Sequence, residues 1–238
     1  MIIAGLQKNS LVDYRGKVAA VVFAPFCNFN CYYCHNRILL ETRPERIQYA
    51  VIENEEFFAF LDKRVGLIQG VVITGGEPTL QKNLSDFILK ITKKGFPVKL
   101  DTNGGRPDVL SGLIASGLLD TVAMDIKAPL NRYDEMCGVK VNHSNIKKSI
   151  NLIMNGGLDY EFRTTVTPEF KIEDFQGIIE MIGGCKRYVL QQFRRPENLG
   201  EFVDIRNAKK PHSKVFFDRA VEICRPHAGE VSTRGIII

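Results

Sequence analysis

The stretch Cys27-Asn-Phe-Asn-Cys31-Tyr-Tyr-Cys34 places three thiols within eight residues, a density that suits metal ligation better than disulfide pairing. An odd local count leaves one sulfur over in any disulfide scheme. The C-x3-C-x2-C spacing also differs from the paired C-x2-C halves of structural zinc sites. Three thiolates on a four-iron cluster leave one iron without a protein ligand, and an open iron is a place for chemistry. A zinc ion completed by His35 is the competing reading, because three cysteines and a histidine are a common zinc set. The cysteines alone do not choose between the two. The remaining cysteines, Cys137, Cys185 and Cys224, are widely scattered. They are expected as buried apolar fillers in a reducing compartment rather than as a disulfide framework or a second cluster.

Four further polar groupings could hold a ligand. In Thr74-Gly-Gly-Glu-Pro-Thr79 the paired glycines allow close backbone approach, so that carbonyls can meet an ammonium group, although Gly75-Gly76 before Pro78 also reads as an ordinary turn. Glu77 is then expected to orient the loop through backbone N–H groups. Asp101-Thr-Asn-Gly-Gly105 supplies Asp101 and Asn103. Asp125 and Lys127 alternate along an extended segment and so share a face. They make either a salt-bridged strand terminus or an inward-facing charged pair, and charges are seldom buried unless paired. Arg163, in Glu-Phe-Arg-Thr-Thr-Val-Thr-Pro168, reads as a ligand contact or a surface ion pair.

Short β-branched runs alternate with amphipathic stretches, a βαβα order that implies an α/β fold with a mostly parallel sheet. The strands are predicted at Val18 to Phe23, Val71 to Thr74, Val98 to Asp101, Thr121 to Asp125, Phe162 to Val166 and Tyr188 to Gln192. Helical spacing lies between them: Phe57, Phe58, Phe60 and Leu61 after an Asn54 cap, then Leu84 to Ile91 before Gly95. Further helices follow Pro107, end at Gly156, end at Gly183 and follow Pro211. Each polar grouping falls at or just after a strand, with Arg163 opening the fifth and Gln191 and Gln192 closing the sixth. The C-terminal ends of parallel strands share one face, where ligands collect, so motifs distant in sequence are predicted to converge.

A chain of 238 residues that is 45% apolar can bury one sizeable core, and a single domain over 1–238 is expected. No N-terminal segment has signal-peptide order, and the longest apolar run, Val18 to Phe26, falls short of the ~20 residues that span a bilayer. A cytoplasmic protein with no membrane partner is expected. The net charge of +5 is spread along the chain, so nucleic acid is not expected as a partner either.

The three cysteines, the aromatic Tyr33 before the last of them, and Gly-Gly-Glu-Pro after the next strand together resemble the radical S-adenosylmethionine (radical SAM) superfamily. The resemblance covers essentially the whole chain and implies a partial (βα)6 barrel. It implies that Cys27, Cys31 and Cys34 hold a 4Fe-4S cluster whose fourth iron is chelated by S-adenosylmethionine. Tyr33, Gly75, Gly76, Glu77 and Asn103 would then belong to the cofactor site. Asp125 would accept the ribose hydroxyls, Lys127 and Arg163 would meet the methionyl carboxylate, and Asp101 would approach the amine or a bound monovalent cation. Gln192 stands near the place where some relatives have a histidine. Phe26 stands immediately before Cys27, where glycine is usual.

The runs Asp101-Thr-Asn-Gly and Asp125-Ile-Lys127 are similar to those of glycyl radical enzyme activases. Gly5-Leu-Gln-Lys-Asn-Ser-Leu-Val-Asp-Tyr-Arg-Gly-Lys17 and Cys34-His-Asn36 resemble the activating proteins of anaerobic ribonucleoside-triphosphate reductase, with Arg15 where those usually carry proline. The resemblance implies reductive cleavage of S-adenosylmethionine to a 5'-deoxyadenosyl radical, which takes a hydrogen atom from a glycine of a partner enzyme. Flavodoxin or ferredoxin would deliver the electron. The rival readings are a small-molecule radical SAM enzyme of the deazaguanine-synthase kind, a non-catalytic zinc or iron-sulfur module, and a redox-sensing regulator. The basic stretch Arg194-Arg-Pro-Glu-Asn-Leu-Gly200 would line a mouth or form a solvated loop.

Overall fold

The computed structural model describes residues 1–42, 47, 49–196 and 204–236, so Glu197 to Gly200 of the basic stretch lie outside the described residues. These residues form two compact units: Met1–Asn28, Asn36–Thr102 and Arg106–Val122 in the first, Phe29–His35, Asn103–Gly105 and Ala123–Ile238 in the second.

The first unit carries β1 (Gly5–Ser10), β2 (Ala19–Ala24), α1 (Asn54–Asp62), β3 (Gly70–Gly75), α2 (Leu84–Thr92), β4 (Val98–Thr102), α3 (Pro107–Ala115) and the start of β5 (Thr121–Asp125). β1 pairs antiparallel with β2, β2 pairs parallel with β3 (Ala19 opposite Gly70, Ala24 opposite Gly75), and β3 pairs parallel with β4. Ala19, Val21 and Val72 pack with Tyr14 and Phe23, and β2 and residues 71–73 of β3 are apolar because both faces are covered. Phe57 of α1 stacks on Phe87 of α2 at 5.3 Å. The helix at Asn54 starts one residue earlier than expected: Glu53 is its N-cap, and no side chain caps it.

The second unit carries the end of β5, α4 (Tyr133–Cys137), α5 (His143–Asn155), β6 (Asp159–Val166), α6 (Asp174–Ile182), β7 (Cys185–Gln192), α7 (Lys214–Cys224) and β8 (Ala228–Arg234). β6, β7 and β8 run parallel, with Phe162 opposite Tyr188 and Cys185 opposite Ala228. Asn142 caps α5 through the N–H groups of Ser144 and Asn145, and Ser213 caps α7 through Phe216. Arg163 lies within β6 rather than opening it, because the strand begins at Asp159.

Of the eight strands among the described residues, β1 and β8 are additions to the predicted six. Gly-Leu-Gln-Lys-Asn-Ser and Ala-Gly-Glu-Val-Ser-Thr-Arg are polar and largely exposed or half-buried, so neither shows the apolar run that marks a covered strand. Among the described residues no helix is long and apolar enough to cross a membrane.

Candidate functional site

In the first unit the polar groupings follow β2, β3 and β4, whose parallel pairing brings their C-terminal ends to one edge. The loop after β2 turns at Phe26, whose φ of +68° makes it the one non-glycine residue at positive φ among those described. That conformation explains why glycine suits the position. Three contacts hold it there. Phe26 N donates to Leu39 O at 2.7 Å, Glu77 N donates to Phe26 O at 2.7 Å, and Gly76 lies so close that a Cβ would stand 2.0 Å from Phe26 O. Gly75, at φ +119°, leaves room for no Cβ either, since one would meet Ala24 O at 2.3 Å. The glycine pair is therefore required by backbone contact, and Cys27 follows directly from the residue it locks.

Glu77 is fully buried, and its Oε1 accepts from Thr79 N at 3.1 Å, Thr79 Oγ1 at 2.5 Å and Thr102 Oγ1 at 2.8 Å. The carboxylate thus ties the turn after β3 to the end of β4. The Gly75 carbonyl accepts from Asn36 Nδ2 at 2.9 Å, and Asp101 Oδ1 accepts from the buried Lys99 Nζ at 2.6 Å. Neither Asn36 nor Lys99 is marked as a contact by spacing. Lys99 reads in sequence as the polar member of a strand, and its burial appears only once its pairing is known.

The second unit holds Cys31, Tyr33 and Cys34. Cys31 is buried and Cys34 half-buried, and Cys34 N donates to Cys31 O at 3.2 Å to close a turn. Tyr32, between them, is pinned: its hydroxyl bonds Glu169, its carbonyl accepts from Asn207 Nδ2 at 2.9 Å, and the Arg206 guanidinium lies 3.9 Å from its ring centroid. Asn30 N donates to Cys137 O at 2.8 Å, which holds the residue before Cys31 against the end of α4. Cys137 is therefore buried as expected but is more than filler. The Cys137 thiol, followed by the nearby Lys127 charge, outweighs burial and draws the Cys31 thiol down to about 7. No local signal in the sequence links Cys137 to the cysteine loop.

Asp125, Lys127 and Arg163 form one ion group. Lys127 Nζ donates to Asp125 Oδ2 at 3.0 Å, and Arg163 Nε donates to Asp125 Oδ1 at 2.9 Å. Burial pushes the Asp125 carboxyl up, but Arg163 and Lys127 outweigh it and hold it well below the usual carboxylate range. Two cations about one carboxylate leave these three side chains with a net positive charge, a setting that favours an incoming anion. Lys127 Nζ also lies 6.0 Å from the Tyr33 ring centroid. The Tyr33 hydroxyl is buried without a full hydrogen bond, as is Gln192 Oε1, while Gln192 Nε2 donates to His212 O at 2.7 Å. Asn103 Oδ1 accepts from Gly105 N at 2.8 Å and shapes the turn after β4.

Among the described residues no three His, Cys, Asp or Glu side chains are gathered as ligands of a single ion. A four-iron cluster takes its thiolates at separate irons and holds them further apart than one zinc does. The buried Cys31 thiol and the half-buried Cys34 thiol, four and seven residues along the chain from Cys27, have the donor chemistry such a cluster takes.

Residues 21–182 match the model of the Radical SAM superfamily. The chain is 36% identical over 198 residues to a candidate glycyl-radical enzyme activating enzyme of Methanocaldococcus jannaschii, covering 81% of this chain and 80% of that protein. It is 27% identical over 183 residues to 7-carboxy-7-deazaguanine synthase of Thermococcus kodakarensis, covering 69% and 70%. Streptococcus suis SuiB, solved with its precursor peptide SuiA, shares the fold with a TM-score of 0.69 at 13% identity, over 90% of this chain and 48% of that one.

Proposed function

We propose that this chain, which belongs to the radical SAM superfamily and is a radical SAM enzyme, is a cytoplasmic activase that installs a radical on a glycine of a partner enzyme. Anaerobic ribonucleoside-triphosphate reductase is the partner we favour, and flavodoxin or ferredoxin the electron donor. The observation that carries the reading is the 36% identity, across four-fifths of both chains, to a candidate glycyl-radical enzyme activating enzyme.

Cys27, Cys31 and Cys34 would hold a 4Fe-4S cluster. With S-adenosylmethionine bound, that cluster supplies one-electron cleavage of a sulfonium and hydrogen-atom abstraction. The protein's own task is binding and orientation. Lys127 and Arg163 would receive the methionyl carboxylate, for which their excess positive charge is suited, while Asp125, kept ionised by both, would accept ribose hydroxyls. Gly75 and Gly76 would offer carbonyls to the amine, near which Asp101 would lie, with or without a monovalent cation. Tyr33, Asn103 and Gln192 would complete the contacts, the first and last through buried polar atoms that lack partners within the chain. Glu77 would act only through the loop it braces.

The test is electron paramagnetic resonance of the reduced protein mixed with S-adenosylmethionine and the reductase of the same organism. A glycyl doublet that disappears when the target glycine is replaced by alanine is the expected result. No doublet, together with turnover of a pterin-like small molecule, would move the assignment to the synthase class represented by the 27% identical relative.

A further inference from the structure

A lysine stands inside the sheet of the first unit, at Lys99 of β4. It lies opposite Val72 of β3, and residues paired across neighbouring strands share a face. Val72 packs there with Tyr14, Ala19 and Val21, so the ammonium group lies beside a cluster of buried apolar side chains. The Lys99 side chain is 3% exposed and that of Asp101 11%. Among the described residues Asp101 is the one hydrogen-bond and ion-pair partner of Lys99, its Oδ1 accepting from Nζ at 2.6 Å. Thr102 alternates to the other side of the strand, where it bonds Glu77, so the Lys99-Asp101 pair is separate from that carboxylate. A lysine withdrawn from water is retained only where its charge is matched, and here the match is Asp101.

Asp101 is also the residue at which the family resemblance would place a monovalent cation, and its surroundings do not fit one. Such a cation would share the carboxylate with an ammonium already 2.6 Å from one of its oxygens. Like charges that close repel strongly where water is excluded. The ammonium is tethered to the chain, so no dissolved salt is needed to keep it in place. We propose that Lys99 is the built-in counter-ion of Asp101 and takes the place of a monovalent cation, so that this protein binds S-adenosylmethionine equally well with and without sodium or potassium. The cofactor half of that statement rests on the function proposed above. Lys99 acts through Asp101, whose Oδ1 it holds, and is a positioning residue rather than a contact of the cofactor.

Full-length wild type, Lys99→Met, Lys99→Gln and the double variant Lys99→Met/Asp101→Asn would be compared in sodium, potassium and tetramethylammonium chloride at one ionic strength. The tetramethylammonium ion is too bulky to sit against a buried carboxylate. The readouts are S-adenosylmethionine affinity of the cluster-loaded protein, by calorimetric titration, and the midpoint of thermal unfolding without cofactor. Wild type should bind within about twofold in all three salts, with a midpoint that does not depend on which is present. Lys99→Met strips Asp101 of its ammonium, so sodium or potassium should improve binding about tenfold over tetramethylammonium and raise the midpoint, as any ligand of the folded state does. Lys99→Gln carries the same test should the methionine variant not fold. The double variant removes both charges and should lose the salt preference. Wild-type binding that weakens about tenfold in tetramethylammonium would overturn the proposal, as would single variants that show no preference among the salts. No binding of S-adenosylmethionine in any salt, with the midpoints behaving as expected, would overturn the proposed function and leave the counter-ion role standing.

Discussion

The turn after β3 and the ends of β5 to β7 both bury polar groups, but they satisfy them differently. Around Glu77 the donors come from the chain itself, one N–H and two hydroxyls on a single carboxylate oxygen, and the glycines before it are wedged against backbone. In the second unit Tyr33 and Gln192 keep buried polar atoms without partners, and Asp125 is shared by two cations. Since an unmet buried polar group costs about 1–3 kcal/mol, the first arrangement is complete without a ligand and the second is not. The turn after β3 is internally satisfied, and the β5 to β7 ends would be the recognition surface under the proposed function. Substitutions in the two regions should therefore fail in different assays.

The largest effects should come from the three-cysteine loop. Cys27→Ala, Cys31→Ala and Cys34→Ala should each abolish cluster assembly, read as loss of nearly all iron, whereas Cys185→Ala and Cys224→Ala should retain it. Iron lost as completely from a Cys185 variant as from a Cys31 variant would show the ligand set to be wrong.

Next is Gly76→Ala, where the added carbon would overlap Phe26 O and force the backbone before Cys27 to move. Overpacking costs about 1–3 kcal/mol, so a lower unfolding midpoint and reduced iron loading are expected together. A variant as stable and as iron-rich as wild type would mean that the turn is not as tightly wedged as described.

Lys127→Ala and Asp125→Ala should leave iron content intact and weaken S-adenosylmethionine binding by about one to two decades, from the loss of a charge-assisted bond worth roughly 1.5–3 kcal/mol. Calorimetric titration of the cluster-loaded variants measures this, and unchanged affinity in both would reduce the ion group to a structural feature. Glu77→Gln sharpens the contrast from the other side. It should cost about 1–3 kcal/mol in denaturant unfolding with little change in cofactor affinity once the cluster is loaded.

The smallest effect concerns pH. Because Arg163 and Lys127 hold the Asp125 carboxyl below its ordinary range, the group stays charged as pH falls from neutral through about 4, the usual carboxylate value. A contribution from a depressed carboxyl is present above its unfolded pKa and is lost only when pH drops through the folded one. Between pH 8 and 5 this group should therefore change cofactor affinity by less than about twofold, as affinity measured across that range would show.

The sequence alone determined what depends on neighbours in the chain: six covered strands from their β-branched runs, helix ends at Gly156 and Gly183, the three-thiol loop, and the pairing of Asp125 with Lys127 two residues on. It was silent on β1 and β8, whose polar residues form strands only because a neighbouring strand offers a free edge. Only the tertiary structure decided that Phe26 takes a left-handed backbone, that Lys99 is the partner of Asp101, and that Cys137 lies against Cys31. The division has one physical cause. Propensity, alternation and ligand spacing act over a few residues and are written in order along the chain. The pairing of a buried sulfur or carboxylate is set by whichever distant segment packing brings within hydrogen-bond reach, and nothing in the local sequence of either partner encodes that meeting.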